Sequence, residues 1–265
     1  MQLGAIHVFP LKSGAALALD VARVERRGLA HDRRWMVVDA QGAFITGRQE
    51  PRLVLIRAQP QADGLLLSAP GMPDLLARSV SSREQVTVWR DRVDARTASG
   101  EASAWLSRFL DRECRLVFMD EAARRPVDPA YAAAGDEVSF ADGFPLLLIS
   151  EGSLAALNAR LDAPVPMLRF RPNLVVAGAE PHAEDGWQRI RIGAIEFDVA
   201  KPCARCGFTT VMPDTGTLDP RGEPLRTLAT YRRGPKGVMF GQNLLARGDG
   251  MLRVGDTVTV LSSRR

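Results

Sequence analysis

Cysteine, histidine, lysine and tyrosine are all scarce in this chain, and each shortage removes an option. Three cysteines among 265 residues leave one without a partner, so no disulfide framework is implied. They are also too few for an all-cysteine [2Fe–2S] centre. His7, His31 and His182 are the only histidines and lie far apart, which rules out the His-Glu-x-x-His helix of a zincin. With two tyrosines and scattered basic residues, the chain lacks the footprint of nucleic-acid recognition, and no nucleic-acid partner is expected. No apolar run is long enough to span a bilayer, so no membrane association is expected. The opening Met1-Gln2-Leu3-Gly4-Ala5-Ile6-His7 has no basic segment leading into an apolar one, so no secretory leader is expected. Phosphate-binding Gly-x-x-x-x-Gly-Lys-Thr and dinucleotide-binding Gly-x-Gly-x-x-Gly loops are missing, which argues against P-loop nucleotidases and Rossmann dehydrogenases. The reading is a cytoplasmic monomer in a reducing compartment.

What is present is an ordinary globular balance, 46% hydrophobic and 25% charged. A chain of this length buries a core without disulfide or metal staples. The net charge is only +4, but its cations are almost all arginine, since Lys12, Lys201 and Lys236 are the only lysines. Arginine presents a planar fork suited to phosphate and carboxylate.

Short strand-like segments dominate the pattern. Strands are predicted over 34–39, 43–46, 53–57, 65–67, 86–89 and 116–119, the first two as a hairpin about Gln41-Gly42. A helix is predicted over 101–110, with Ser99 as its cap and Trp105, Leu106, Phe109 and Leu110 on its apolar face. In the second half, strands are predicted over 146–149, 174–176, 189–192, 195–199, 209–212 and 257–261. Ser150 should cap a helix whose stripe is Leu154, Leu157 and Leu161, stopped by Pro164. Many short strands and few helices suggest a closed or partly closed barrel. A boundary falls near residue 120, before the Pro126 and Pro129 loop. His182 lies among Glu180, Glu184 and Asp185 and reads as a surface residue.

The most informative stretch is Cys203-Ala204-Arg205-Cys206 with Thr209-Thr210-Val211 and Pro213-Asp214-Thr215-Gly216 behind it. A tetrahedral zinc site needs two further ligands, and none is suitably spaced. A thioredoxin-like dithiol belongs at a helix start, whereas a β-branched run follows here. A single thiolate on a thiophilic redox metal, with Arg205 favouring the charged form, and a pair of half-buried structural thiols remain open. Other segments offer anion chemistry. Lys12-Ser13-Gly14 combines an ammonium, a hydroxyl and flexible backbone. Arg33 and Arg34 precede a strand. Pro172 biases Arg171 toward an extended conformation, so Arg171 and Asn173 should project together and could read a polar heterocycle edge.

Taken in order, these segments resemble one family. Pro10-Leu11-Lys12-Ser13, Asp32-Arg33-Arg34-Trp35, Gln49-Glu50-Pro51-Arg52-Leu53, Asp142-Gly143-Phe144-Pro145, Phe170-Arg171-Pro172-Asn173, the cysteine stretch and Phe240-Gly241-Gln242-Asn243 together are similar to the MOSC-domain molybdenum enzymes. The resemblance covers nearly the whole chain. It implies a mainly-β fold with some α: an N-terminal MOSC-type β-barrel module over 1–120, then a MOSC β-barrel domain over 121–265. It also implies a molybdenum cofactor, Mo-molybdopterin. Matched residue by residue, Cys206 is the thiolate ligand to the metal and the catalytic position, and Cys203 is a family cysteine that is not the ligand. Lys12, Ser13 and Arg33 fall on phosphate-binding positions, and Asp142, Arg171 and Asn173 on pterin contacts. The implied activity is reduction of a small N-hydroxylated substrate by oxygen-atom transfer. No haem, flavin or iron–sulfur motif is visible, so electrons would come from a separate electron-donor protein. The alternative is a non-catalytic carrier of molybdenum cofactor or sulfur. Two departures stand out: Met212 where many relatives carry aspartate, and an apolar Gly143-Phe144 loop.

Overall fold

The computed structural model describes residues 1–264. Apolar residues alternate along the strands and curl the main sheet around a core. Its path runs Val258–Ser263, Trp187–Ile192, Ile195–Arg205, Gly237–Ala246, Leu146–Ser150, Leu174–Ala177, Gln2–Val8 and Leu17–Leu19. The path closes on itself where Gln2, in the strand before its last, pairs with Thr257 at the start of its first, and the Leu3 amide donates to the Asp256 carbonyl at 2.8 Å. This contact closes the barrel and leaves little free edge. Leu3, Ile6, Leu148, Leu174, Ile190, Phe197 and Leu244 fill it. Pairing is antiparallel except between Leu146–Ser150 and Leu174–Ala177, which are parallel. A parallel pair requires a crossover, and the helix Glu151–Asn158 lies within it.

The first half forms a second layer. A four-stranded sheet of Trp35–Val38, Ser79–Val88, Asp91–Ala98 and Arg115–Phe118 stands beside a three-stranded sheet of Arg57–Gln61, Gly64–Ser68 and Leu75–Ala77. Helix α1 (Gly100–Leu110) buries Trp105, Leu106, Phe109 and Leu110 against Trp35, Leu65 and Leu116, and the Ser99 hydroxyl accepts from the Ala102 amide as a cap. The fold is mainly β with some α and falls into two parts, as the resemblance implies. The parts are interleaved, because Gln2–Val8 belongs to the second half's barrel and Val21–Glu25 pairs with Gly250–Arg253. Lys12 and Ser13 lie in the loop between Gln2–Val8 and Leu17–Leu19, where the Lys12 amide donates to the Trp35 carbonyl of the first-half layer at 2.8 Å.

Several predicted elements come out differently. The segment 53–57 is a 3-10 helix at Pro51–Leu55, because proline suits a helix start and withholds a ladder donor. The segment 209–212 is also a 3-10 turn, at Gly207–Thr210. There the Thr209 and Thr210 hydroxyls donate to the carbonyls of Cys206 and Gly207, and this local bonding overrides β-propensity. The second arm of the Gln41-Gly42 hairpin is reduced to bridges, Phe44 to Val38 and Ala43 to Thr87. Helix α2 (Glu151–Asn158) is capped by Ser150 but stops before Leu161, where the Asn158 carboxamide bonds both backbone groups of Val165. His182 is half-buried, not on the surface, and stacks edge-on with Tyr231 and Phe240.

Glu184 is 1% exposed and accepts from the Ser150 amide and hydroxyl and the Ser153 hydroxyl at 2.7–3.0 Å. Losing its carboxylate strands these donors at the start of α2. Glu184→Ala is expected to destabilise the protein by about 3 kcal/mol, measured by urea unfolding.

Candidate active site

The strand Ile195–Arg205 runs past the barrel rim and carries the cysteine segment. Its register slips between Val199 and Lys201 and again between Pro202 and Ala204. Such irregularities turn side chains out of the regular alternation. They separate the two thiols. Cys203 packs half-buried against the apolar cluster of Phe170 and Phe240, and the Arg205 guanidinium donates to its sulfur at 3.0 Å. Cys206 lies one residue beyond the strand and is exposed. Arg205 thus serves Cys203, not the thiol the resemblance assigns to the metal.

A cleft opens between the two layers. Lys12, Ser13, Arg33, Asp142, Arg171, Asn173 and Cys206 all line it. Residues separated by almost two hundred positions are therefore brought together. Phe44, Arg48, Trp89, Phe170, Arg205 and Phe208 also line it, as does the second thiol, Cys203.

Backbone conformation sets several of these side chains. Ser13, Arg33, Trp89 and Arg171 have φ of 66°, 47°, 57° and 57°. Left-handed backbone is uncommon outside glycine, and its concentration around one cleft marks a site that the surrounding structure holds in place. For Arg171 this corrects the expected extended conformation. The 3-10 turn Met167–Arg169 ends just before it, and the Arg171 amide donates back to the Leu168 carbonyl. Gly47 lets Phe208 close in, since a Cβ there would stand 2.3 Å from the ring. The Gly47 amide donates to the Ser13 hydroxyl at 3.1 Å.

Lys12 is 6% exposed and donates to the Phe140 carbonyl and to Asp142, each at 2.7 Å. Burial pushes its ammonium below the usual lysine range, with Asp142 opposing. Enclosure in the cleft pushes the Asp142 carboxyl up, but Lys12 outweighs it and holds the group well below the ordinary carboxylate range. Water still reaches Asp142, whose side chain is 73% exposed. Arg125 is buried beneath this loop and donates to the carbonyls of Ser139, Ala141 and Asp142.

Arg33 is held by Asp32 at 2.6 Å, the Asn173 carboxamide oxygen at 3.0 Å and the Arg171 carbonyl at 3.2 Å. Asn173 also bonds the Leu147 amide and the His7 carbonyl, so most of its amide is spent on the frame. The Arg171 guanidinium lies over the Phe9 ring and donates through Nη1 to the Gly14 carbonyl at 2.7 Å. Burial, reinforced by Arg33, pushes its pKa down to about 9.

Two buried donors have no partner here, Arg171 Nη2 and Arg205 Nε. The walls carry Lys12, Arg33, Arg48, Arg169, Arg171 and Arg205 against the single carboxylate Asp142. Such an imbalance suits a polyanionic ligand. Among the described residues, no group of three His, Cys, Asp or Glu side chains could chelate a bare metal ion. The exposed Cys206 thiol offers a single soft donor at the cleft. The cationic walls and the two unpartnered donors fit a phosphorylated cofactor.

Comparison with known proteins agrees. The MOSC N-terminal beta barrel domain matches residues 1–113 and the MOSC domain matches residues 135–259. This chain belongs to the MOSC family. Mitochondrial amidoxime-reducing component 1 of Danio rerio is 39% identical over 95% of this chain and 82% of its own length. The Homo sapiens protein of that name is 34% identical over 97% of this chain and 82% of its own. Molybdenum cofactor sulfurase of Solanum lycopersicum is 30% identical over 97% of this chain but only 35% of its own length. The relationship supports an enzymatic, molybdenum-cofactor-associated oxidoreductase role in general terms. It also overturns the cytoplasmic expectation, because the amidoxime-reducing relatives are named as mitochondrial. Sparse cysteine and missing disulfides fit any reducing compartment, so they could not distinguish the two. No helix among the described residues is long and apolar enough to cross a membrane.

Sequence reading missed Trp89, Phe44, Arg48 and Phe208. Trp89 reads as the end of a strand, and nothing local shows that it occupies a hairpin loop facing the cleft.

Proposed function

We propose that this MOSC protein is a molybdenum-cofactor-dependent reductase of small N-hydroxylated compounds, supplied with electrons by a separate donor protein. One observation supports it most: Lys12, Ser13, Arg33, Asp142, Arg171, Asn173 and Cys206 converge on one cationic cleft. The bound cofactor would supply the two-electron chemistry that removes oxygen from an N–O bond. Lys12, Ser13 and Arg33 would hold its phosphate; Asp142, Arg171 and Asn173 would hold its pterin. Cys206 would give its thiolate to the metal. Asn173 acts mainly by fixing Arg33, and Arg125 by supporting the loop under Asp142. Phe170 and Phe208 exclude water from the inner wall, which strengthens each charged contact. The same reading divides the chain into modules at 1–120 and 121–265, each giving residues to the site.

Similarity to the sulfurase and the presence of a second, arginine-contacted thiol favour one other reading, a non-catalytic carrier of cofactor or sulfur. Protein purified from a cofactor-producing host is expected to reduce benzamidoxime or N-hydroxylaminopurine with a chemical electron donor. If metal-loaded protein reduces neither, nor any related hydroxylamine, the carrier reading replaces the reductase.

A further inference from the structure

Trp89 stands out because the backbone asks for a different residue. Val88 pairs with Asp91 across the hairpin, so Trp89 and Arg90 form a two-residue loop. Trp89 has φ of 57°, and Arg90 is not among the residues with positive φ. Loops with positive φ at the first position alone ordinarily place glycine there. An indole in that place is strained, and nothing in the packing of the hairpin requires it.

The ring is held toward the cleft. Its Nε1 donates to Asp142 at 3.2 Å, Phe44 meets it edge-on with centroids 5.0 Å apart, and the Arg48 guanidinium lies 5.1 Å from its centroid. It nevertheless remains 44% exposed. Trp35, Trp105 and Trp187 are by contrast only 6, 7 and 5% exposed. A flat, polarisable surface beside a reaction cleft binds planar π systems by offset stacking. The geometry points to Trp89 as a specificity-determining residue, a stacking lip that takes the aromatic ring of a planar N-hydroxylated substrate, with Phe44 and Arg48 setting its angle. This inference rests on the reductase reading and names the substrate class for it.

The test compares benzamidoxime with acetamidoxime, which share the reacting group but not the ring. Cofactor-loaded wild type, Trp89→Asn and Trp89→Phe are assayed; asparagine tolerates left-handed backbone and so keeps the loop. The ratio of kcat/KM for benzamidoxime over acetamidoxime is expected to fall about tenfold in Trp89→Asn, through KM, and to be largely retained in Trp89→Phe. Equal loss on both substrates would show that Trp89 only supports Asp142 and would overturn the inference.

A binding measurement keeps the inference separate from the reaction. Benzamidoxime is expected to quench wild-type tryptophan emission saturably, acetamidoxime is not, and Trp89→Asn should lose the response. Quenching that survives in Trp89→Asn, or none in wild type, would reject the lip. Saturable quenching without turnover would instead reject the reductase reading and leave the lip standing.

Discussion

Cys206→Ser is expected to abolish reduction of N-hydroxylated substrate and to strip most molybdenum from the protein, whereas Cys203→Ser should keep both in large part. The reason is position. Cys206 follows the end of the strand Ile195–Arg205 and exposes its sulfur at the cleft, while Cys203 is half-buried against Phe170 and Phe240 with Arg205 on its sulfur. Serine keeps the size of the side chain but exchanges a soft donor for a hard one that is rarely ionised, and a thiophilic metal binds it poorly. Molybdenum content and turnover, measured together on both variants, check this. If Cys203→Ser is the inactive variant, the sulfur has been misassigned.

Arg171→Gln should have two effects of opposite sense. Affinity for the anionic cofactor should fall about 10- to 100-fold, since a hydrogen bond to a charged group is worth about 1.5–3 kcal/mol. The melting temperature of the cofactor-free protein, however, should not fall. Arg171 is depressed from the ordinary arginine range to about 9 by burial and by Arg33, and one of its donors is unpartnered. A base with a depressed folded pKa makes folding costlier wherever it stays charged, that is, at and below about pH 9. The penalty fades as pH rises above about 9 toward the ordinary arginine range, where the unfolded chain also gives up its proton. A bound anion relieves the penalty. Stabilisation by inorganic phosphate should therefore be full at neutral pH and decline as pH passes about 9. Ligand at a hundredfold excess over its Kd stabilises by about 2.7 kcal/mol, several degrees in Tm, and Arg171→Gln should lack most of that shift. A drop in the Tm of cofactor-free Arg171→Gln would show instead that this guanidinium is mainly a structural strut through Gly14.

Apolar runs at 65–67, 146–149 and 174–176 and alternation at 189–192 made those strands legible, and the Ser99 and Ser150 caps mark the starts of α1 and α2. What failed was local. The β-branched pair Thr209-Thr210 suggested a strand, but its hydroxyls reach backbone carbonyls three residues earlier and close a tight turn. The strand predicted over 195–199 runs on to Arg205, across Lys201-Pro202, because register slips accommodate the proline. Both thiols line the cleft, but the slips leave Cys203 half-buried under Arg205 and Cys206 exposed, a distinction that Cys-x-x-Cys spacing could not make. At the site, residue types were readable from the motifs. Their presentation was not, since left-handed backbone at Ser13, Arg33, Trp89 and Arg171 has no glycine to announce it. Arg171 even pointed the wrong way, because the rule for residues before proline yielded to the turn at Met167–Arg169. Burial of Lys12 and Arg125 under the Asp142 loop likewise comes from long-range packing, which adjacent sequence does not encode.

Molybdenum-edge X-ray absorption on cofactor-loaded wild type and Cys206→Ser tests the central claim most directly. Should enough metal remain in the variant to measure, the account predicts a sulfur scatterer in wild type beyond the cofactor's own dithiolene pair that is missing from Cys206→Ser and retained in Cys203→Ser. An unchanged sulfur shell in metal-bearing Cys206→Ser would contradict it.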